Sequence, residues 1–187
     1  MKKKPSVFVI YGKTASGKDT LINRLIGLQR EDLFFPVRET SRPKREGEVE
    51  GHEYVFRSDI PTSDFHQYFE RNIFNGWFYG TKTADLDLDK VNIITGSVET
   101  AIQCELNKEI NFVGSLYLDV PALERFNRSI KRQGWAEIAT IVKRFYSEAS
   151  QYSLNGRPTQ VFDIDPRNLD DYKLNLLLEG IVSIANL

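Results

Sequence analysis

Gly12-Lys13-Thr14-Ala15-Ser16-Gly17-Lys18 is the stretch on which the fold turns. It satisfies G-x-x-x-x-G-K, and both flanks fit. Before it, Ser6–Tyr11 is a β-branched and aromatic run bounded by Pro5 and Gly12, the pattern of a buried strand. After it, Lys18–Leu28 carries Leu21, Ile22, Leu25 and Ile26 at helical spacing. Strand, glycine loop and helix, in that order, make an anion cradle. Glycines let backbone N–H groups curl round a phosphate, the helix N-terminus adds positive potential, and the lysine neutralises the outer oxygens of a triphosphate. The position after Gly17-Lys18 departs from the pattern, which places Ser or Thr there to ligate Mg²⁺. Asp19 stands in its place and Thr20 follows. Asp19 is either a metal-side ligand, directly or through water, or a first-turn acid favoured by the helix dipole.

Outward from the loop, strand and helix signals alternate. Strands are expected at Phe34–Arg38, Val91–Thr95, Phe112–Asp119 and Val161–Ile164. Helices are expected at Ser97–Leu106, Pro121–Arg132, Ala136–Ser150 and Leu169–Ala185, with a helix start at Thr83–Lys90. Such alternation implies an α/β fold, a mostly parallel sheet covered on both faces. The block from about residue 40 to 80 breaks the alternation. There Thr40–Glu53 is a polar loop, and Tyr54–Phe56 and Ile73–Phe78 are short strands around a helix near Ser63–Arg71. It has the character of an inserted substrate subdomain.

The chain of 187 residues, 41% hydrophobic, supports one well-buried core and is too short for two enzyme domains. A net charge of -1 argues against a general nucleic-acid binder. Cys104 is the only cysteine, which excludes an intramolecular disulfide framework and a thiol metal site and suits a reducing compartment. No run approaches the roughly 20 apolar residues that span a bilayer. A soluble, cytoplasmic protein without a membrane or nucleic-acid partner is expected. His52 and His66, the two histidines, read as surface residues.

The second informative run is Thr40-Ser41-Arg42-Pro43-Lys44-Arg45-Glu46-Gly47-Glu48-Val49-Glu50-Gly51-His52-Glu53-Tyr54-Val55-Phe56. Arg42 and Arg45 can each fork onto a phosphate and Tyr54 can donate its hydroxyl, although composition alone also fits a solvated charged loop. This run resembles the GMP-binding segment of the guanylate kinase family, of general form T-T-R-x-P-R-x-G-E-x-x-G-x-D-Y-x-F. Glu70 and then Gly76-Trp77-Phe78-Tyr79-Gly80-Thr81 resemble that family's glutamate and its Y-Y-G-S element. Arg128, Arg132 and Arg144 continue the likeness into the last third of the chain.

The resemblance implies a P-loop NTPase three-layer fold of a single domain, with core 1–38, 82–125 and 151–187. The acceptor-binding subdomain would fall at about 39–81 and a helical lid at about 126–150. It implies ATP held by Gly12 to Thr20 and Arg128, with Mg²⁺ as cofactor; the metal-side reading of Asp19 comes from the residue itself, where the chain departs from the pattern. Lys18, Arg45, Arg132 and Arg144 would be catalytic, neutralising the transferring group. Arg42, Arg45, Tyr54 and Tyr79 would hold the acceptor phosphate. Glu70 would accept from the guanine N1–H and amine, and Thr81 would face O6. The implied reaction is phosphorylation of a nucleoside monophosphate, GMP or dGMP foremost, by a monomer or homodimer.

One segment departs from the family. After Val91-Asn92-Ile93-Ile94, where the family carries two acids, this chain has Thr95-Gly96-Ser97. Ser97 then makes a weaker base contact, or base selection is relaxed, and Asp19 is placed to supply the metal-side charge lost there. These departures are similar to those of ribose 1,5-bisphosphate phosphokinases, which leaves another deoxynucleotide or that sugar phosphate as alternative acceptors. A non-catalytic guanylate-kinase-like binding module is the third reading, and Gly12, Gly17 and Lys18 argue against it.

Overall fold

The computed structural model describes residues 3–45, 47–52, 54–154, 161–164 and 169–186. In chain order the elements are β1 (Ser6–Tyr11), α1 (Lys18–Gly27), β2 (Leu33–Phe34), β3 (Glu39–Thr40), β4 (Val55–Phe56), β5 (Tyr68–Phe74) and β6 (Trp77–Lys82). They continue with β7 (Val91–Gly96), α2 (Val98–Leu106), β8 (Asn111–Leu118), α3 (Ala122–Gln133), α4 (Ile138–Leu154), β9 (Val161–Ile164) and α5 (Asp171–Ala185).

The apolar run of β1 takes the central place that its composition calls for. The main sheet runs β2-β7-β1-β8-β9, and every pairing is parallel. Successive β1 side chains point to opposite faces. Phe8 and Ile10 pack with Leu21 and Leu25 of α1 and with Leu174, Leu178 and Ile181 of α5. Val7, Val9 and Tyr11 pack with Val98, Ala101 and Cys104 of α2. Both faces are therefore covered, and the glycine loop leaves the carboxyl end of β1 between two neighbouring strands. In open α/β sheets, ligands bind in that crevice.

The second sheet runs β4-β3-β6-β5, with β3 antiparallel to β6 and β6 antiparallel to β5. Here the structure corrects the sequence reading. No long helix occupies Ser63–Arg71: a 3₁₀ turn covers Thr62–Gln67, and β5 begins at Tyr68. The expected strand Ile73–Phe78 is not one strand: Asn75 (φ 51°) and Gly76 (φ 81°) form a two-residue turn inside it, between β5 and β6. Two left-handed residues in sequence suit the strand twist, and Asn-Gly is the sequence that adopts them most readily. Two further corrections are smaller. Of the expected strand Phe34–Arg38 only Phe34 is in a strand, the end of β2; the ladder stops before Pro36, which lacks a donor, and β3 begins past Arg38. The expected helix start at Thr83–Lys90 is one 3₁₀ turn, Thr83–Asp85, after which the Asp87 carboxylate accepts from the N–H groups of Asp89 and Lys90.

Glu39 fastens the second sheet. Its buried carboxylate accepts from Lys82 Nζ (2.7 Å), Arg57 Nη2 (3.0 Å) and the Tyr68 hydroxyl. Against the effect of burial, the Lys82 and Tyr68 hydrogen bonds hold Glu39 below the ordinary carboxylate range. Among the described residues no helix is long and apolar enough to cross a membrane.

Candidate active site

The phosphate loop is closed by its own backbone. Ser16 N–H donates to the Lys13 carbonyl (3.1 Å), and Leu21 N–H starts α1 on the Gly17 carbonyl (3.0 Å). Gly17 has φ 98°, a conformation that a side chain would strain. Gly12 is required for a different reason: a Cβ there would lie 2.7 Å from Ser16 Oγ and 3.1 Å from the Leu118 carbonyl. Lys18 Nζ donates to the carbonyls of Gly12 (2.7 Å) and Lys13 (3.3 Å). Burial pushes the Lys18 amine below its ordinary 10.5, with Arg132 and Arg125 adding to the effect against Asp19 and Glu148. A buried cation of this kind is primed for an anion.

Across the cleft, Arg42 is fixed before any substrate arrives. Its Nη1 and Nη2 donate to Glu48 at 3.0 and 2.8 Å, and Nη1 also donates to the Pro43 carbonyl at 2.8 Å. The guanidinium lies over the rings of Tyr54 and Phe56, 5.5 and 5.4 Å from their centroids. Tyr54 packs edge-on against Tyr79. Glu48 also accepts from the Arg45 backbone N–H (2.7 Å), which sets the loop that carries Arg45. The Arg45 guanidinium makes no hydrogen bond among the described residues. Burial, Arg42 and Arg144 all push it below the ordinary arginine value. Like charges held this close make an anion site.

Lys18, Asp19, Arg42, Arg45, Tyr54, Tyr79, Arg132 and Arg144 all line one cleft, together with Gly12, Thr14, Ala15 and Ser97. An adjoining recess is lined by Ser16, Gly17, Thr20, Arg128 and again Lys18 and Arg132. Arg128 reaches the loop through Nη1 to the Ala15 carbonyl (3.3 Å) while pairing with Glu124. Lys13 lines neither space; its Nζ lies 5.3 Å from the ring centroid of Tyr152, which lines the first.

Glu70 and Thr81 are placed otherwise than expected. They face each other across β5 and β6, both buried, and neither lines the cleft. The Glu70 carboxylate accepts from Arg38 Nε (3.1 Å), Arg38 Nη2 (2.8 Å) and the Thr81 hydroxyl (2.7 Å). Arg38, which the sequence reading passed over, stands between Glu70 and the cleft. Burial opposes its charge, but Glu70 and then Tyr54 hold Arg38 above the ordinary arginine value. Ser97 reaches the cleft wall as the N-cap of α2, its hydroxyl accepting from Asn72 Nδ2 at 3.0 Å.

Two further residues were not anticipated. Glu148 accepts from the Thr14 N–H (2.8 Å) and the Thr14 hydroxyl, and lies 3.6 Å from Arg125. Arg125 in turn donates to the Thr14 carbonyl (3.2 Å) and stacks on Phe145 (4.6 Å). Together they tie α3 and α4 to the phosphate loop. Helical spacing carried the signal, since Glu148 is four residues from Arg144 and Arg125 three from Arg128.

A glycine loop opening a helix from the central strand, facing an arginine clamp across one cleft, defines a P-loop phosphotransferase with a second anionic substrate. Residues 4–164 match the guanylate kinase family. The chain is 29% identical over 157 residues to a guanylate kinase of Caldanaerobacter subterraneus subsp. tengcongensis, covering 79% of this chain and 73% of the relative. It is 30% identical over 156 residues to one of Clostridium tetani, covering 78% and 71%. A crystal structure of guanylate kinase from Anaplasma phagocytophilum shares the fold, with a TM-score of 0.60 at 18% identity, covering 98% of this chain and 87% of that one. The chain belongs to the guanylate kinase family and is a nucleoside monophosphate kinase.

Proposed function

We propose that the enzyme transfers the γ-phosphoryl group of ATP to a nucleoside monophosphate, with GMP or dGMP as the leading acceptor. One observation carries this reading. Lys18 and the Arg42–Arg45–Tyr54–Tyr79 clamp line the same cleft, with Arg132 and Arg144 beside both. The loop N–H groups and Lys18 hold the donor phosphates, and Arg128 lies over the loop on its outer side. Arg42, Arg45, Tyr54 and Tyr79 hold the acceptor phosphate, whose oxygen is already nucleophilic, so no general base is needed. Alignment and neutralisation of the spreading charge by Lys18, Arg45, Arg132 and Arg144 supply the catalysis. Closure of the second sheet and of α3–α4 over the cleft keeps out water, which would otherwise hydrolyse ATP.

Mg²⁺ suits the residues present. Asp19 is an exposed carboxylate on the cleft wall beside Lys18. No group of three metal-ligating side chains occurs among the described residues. That donor set fits an ion carried mainly by phosphate oxygens and water with one carboxylate nearby. When bound, Mg²⁺ supplies charge neutralisation between the donor phosphates.

An ADP-release assay with ATP and Mg²⁺ across GMP, dGMP, other nucleoside monophosphates and ribose 1,5-bisphosphate tests the proposal. Turnover with GMP or dGMP is the expected result. Turnover with the sugar bisphosphate alone would select a different acceptor on the same scaffold, and binding without turnover would select a non-catalytic module.

A further inference from the structure

In the cleft proposed above to receive the acceptor, the base end is built from unusual parts. Glu70, the carboxylate expected to meet guanine's two adjacent donors, is sealed off. Its side chain is 0% exposed and that of Arg38 7%. Three hydrogen bonds from Arg38 and Thr81 occupy its oxygens. Parting a buried ion pair leaves an uncompensated charge, so a base does not easily displace Arg38. Arg38 spends Nε and Nη2 on Glu70, and its Nη1 has no acceptor among the described residues. Close by, Asn72 donates through Nδ2 to Ser97 Oγ (3.0 Å) and Thr100 Oγ1 (3.2 Å). Its buried Oδ1 has no partner. Arg38, Asn72 and Ser97 all line the cleft. The acids that line it, Asp19 and Glu148, belong to the phosphate-loop end, Asp19 next to Lys18 and Glu148 on Thr14.

The wall therefore offers one cationic donor and one neutral acceptor, and no free carboxylate among the described residues. A 6-oxopurine matches it: O6 accepts from a guanidinium, as in the commonest arginine–guanine contact, and N1–H donates to an amide oxygen. Adenine opposes it at both points, with an amine facing the guanidinium and an unprotonated N1 facing the amide oxygen. The 2-amino group, which alone separates guanine from hypoxanthine, meets no carboxylate.

We propose that Arg38 and Asn72, rather than Glu70, read the acceptor base, so that the enzyme accepts 6-oxopurine nucleoside monophosphates with or without the 2-amino group. This rests on the reading of the cleft as a nucleoside monophosphate site. IMP and dIMP are then substrates alongside GMP and dGMP, and AMP is rejected because buried donors and acceptors would be left facing their own kind.

Steady-state ADP release by the wild-type enzyme with GMP, IMP and AMP tests the inference without any variant. The expected kcat/KM for IMP lies within about tenfold of that for GMP, with AMP at least about 100-fold lower. A larger gap between GMP and IMP, with GMP turned over, overturns the base assignment and leaves the kinase reading intact. Turnover of no nucleotide overturns both. Arg38→Ser frees the Glu70 carboxylate and should widen the GMP-to-IMP ratio about tenfold or more, and Arg38→Ser with Glu70→Gln should narrow it again. An Arg38→Ser enzyme that folds and keeps the wild-type ratio also contradicts the assignment. Asn72→Ala, which removes the acceptor for N1–H, should lower kcat/KM for GMP and IMP equally, and a loss confined to GMP would count against it.

Discussion

Arg45→Ala separates binding from folding more cleanly than any other change in the cleft. The Arg45 guanidinium has no hydrogen bond to lose among the described residues, and burial, Arg42 and Arg144 all disfavour its charge without removing it. Truncation therefore removes repulsion and no structural contact, so Tm is expected to stay within about 2 °C of wild type or to rise slightly. Activity should move the other way. A guanidinium forked onto a phosphate monoester makes two charge-assisted hydrogen bonds, each about 1.5–3 kcal/mol. Taking the lower half of their sum, about 3–4 kcal/mol, gives a loss of roughly 10²–10³ in kcat/KM for the acceptor. Arg45→Lys keeps the charge but not the fork and should recover only part of it. Coupled ADP-release kinetics and a thermal melt on the same preparations read both quantities. Activity within about threefold of wild type, or a Tm lowered by several degrees, would refute the placing of Arg45 as an unpaired cation awaiting the acceptor phosphate.

Other outcomes follow from the same geometry. Because burial lowers the Lys18 proton affinity, the charge is fully present below that lowered value and is lost as pH rises through it. ATP affinity of the free enzyme, followed by titration calorimetry, should decline on the alkaline side at a pH below 10.5, where an ordinary lysine would still be charged. Glu48→Gln keeps one acceptor for Arg42 but loses the paired, charged contact, so KM for the acceptor should rise about tenfold while KM for ATP is unchanged. Glu39→Gln breaks a buried carboxylate's hold on Lys82, Arg57 and Tyr68, and urea unfolding should report a loss of about 3 kcal/mol.

The core and the donor loop were legible because their signals are local. A continuous apolar strand, a glycine loop and an amphipathic α1 state their own arrangement, and β1, α2, β8 and α5 follow within a few residues of expectation. The second sheet was less legible. Tyr68 to Phe74 has mixed character and becomes a strand through its partner β6, so the decisive cue was the Asn75-Gly76 turn rather than any periodicity. At the site, Arg42, Arg45, Tyr54 and Tyr79 were named through the resemblance to the guanylate kinase family, and they do line one cleft. Arg38 was not: an arginine two residues past a proline carries no local message. Its effect on Glu70, 32 residues away, exists only in three dimensions.

Two anion cradles facing one cleft should bind one molecule that carries both ends. The direct measurement is titration calorimetry of an adenosine–guanosine compound joined by five phosphates, against wild type, Lys18→Ala and Arg45→Ala. The expected result is one site per chain, with affinity well above that for ATP or GMP alone and lowered by each substitution, since linking the ends converts the second contact into an intramolecular one. Affinity no greater than that for ATP, unchanged by Arg45→Ala, would contradict the account.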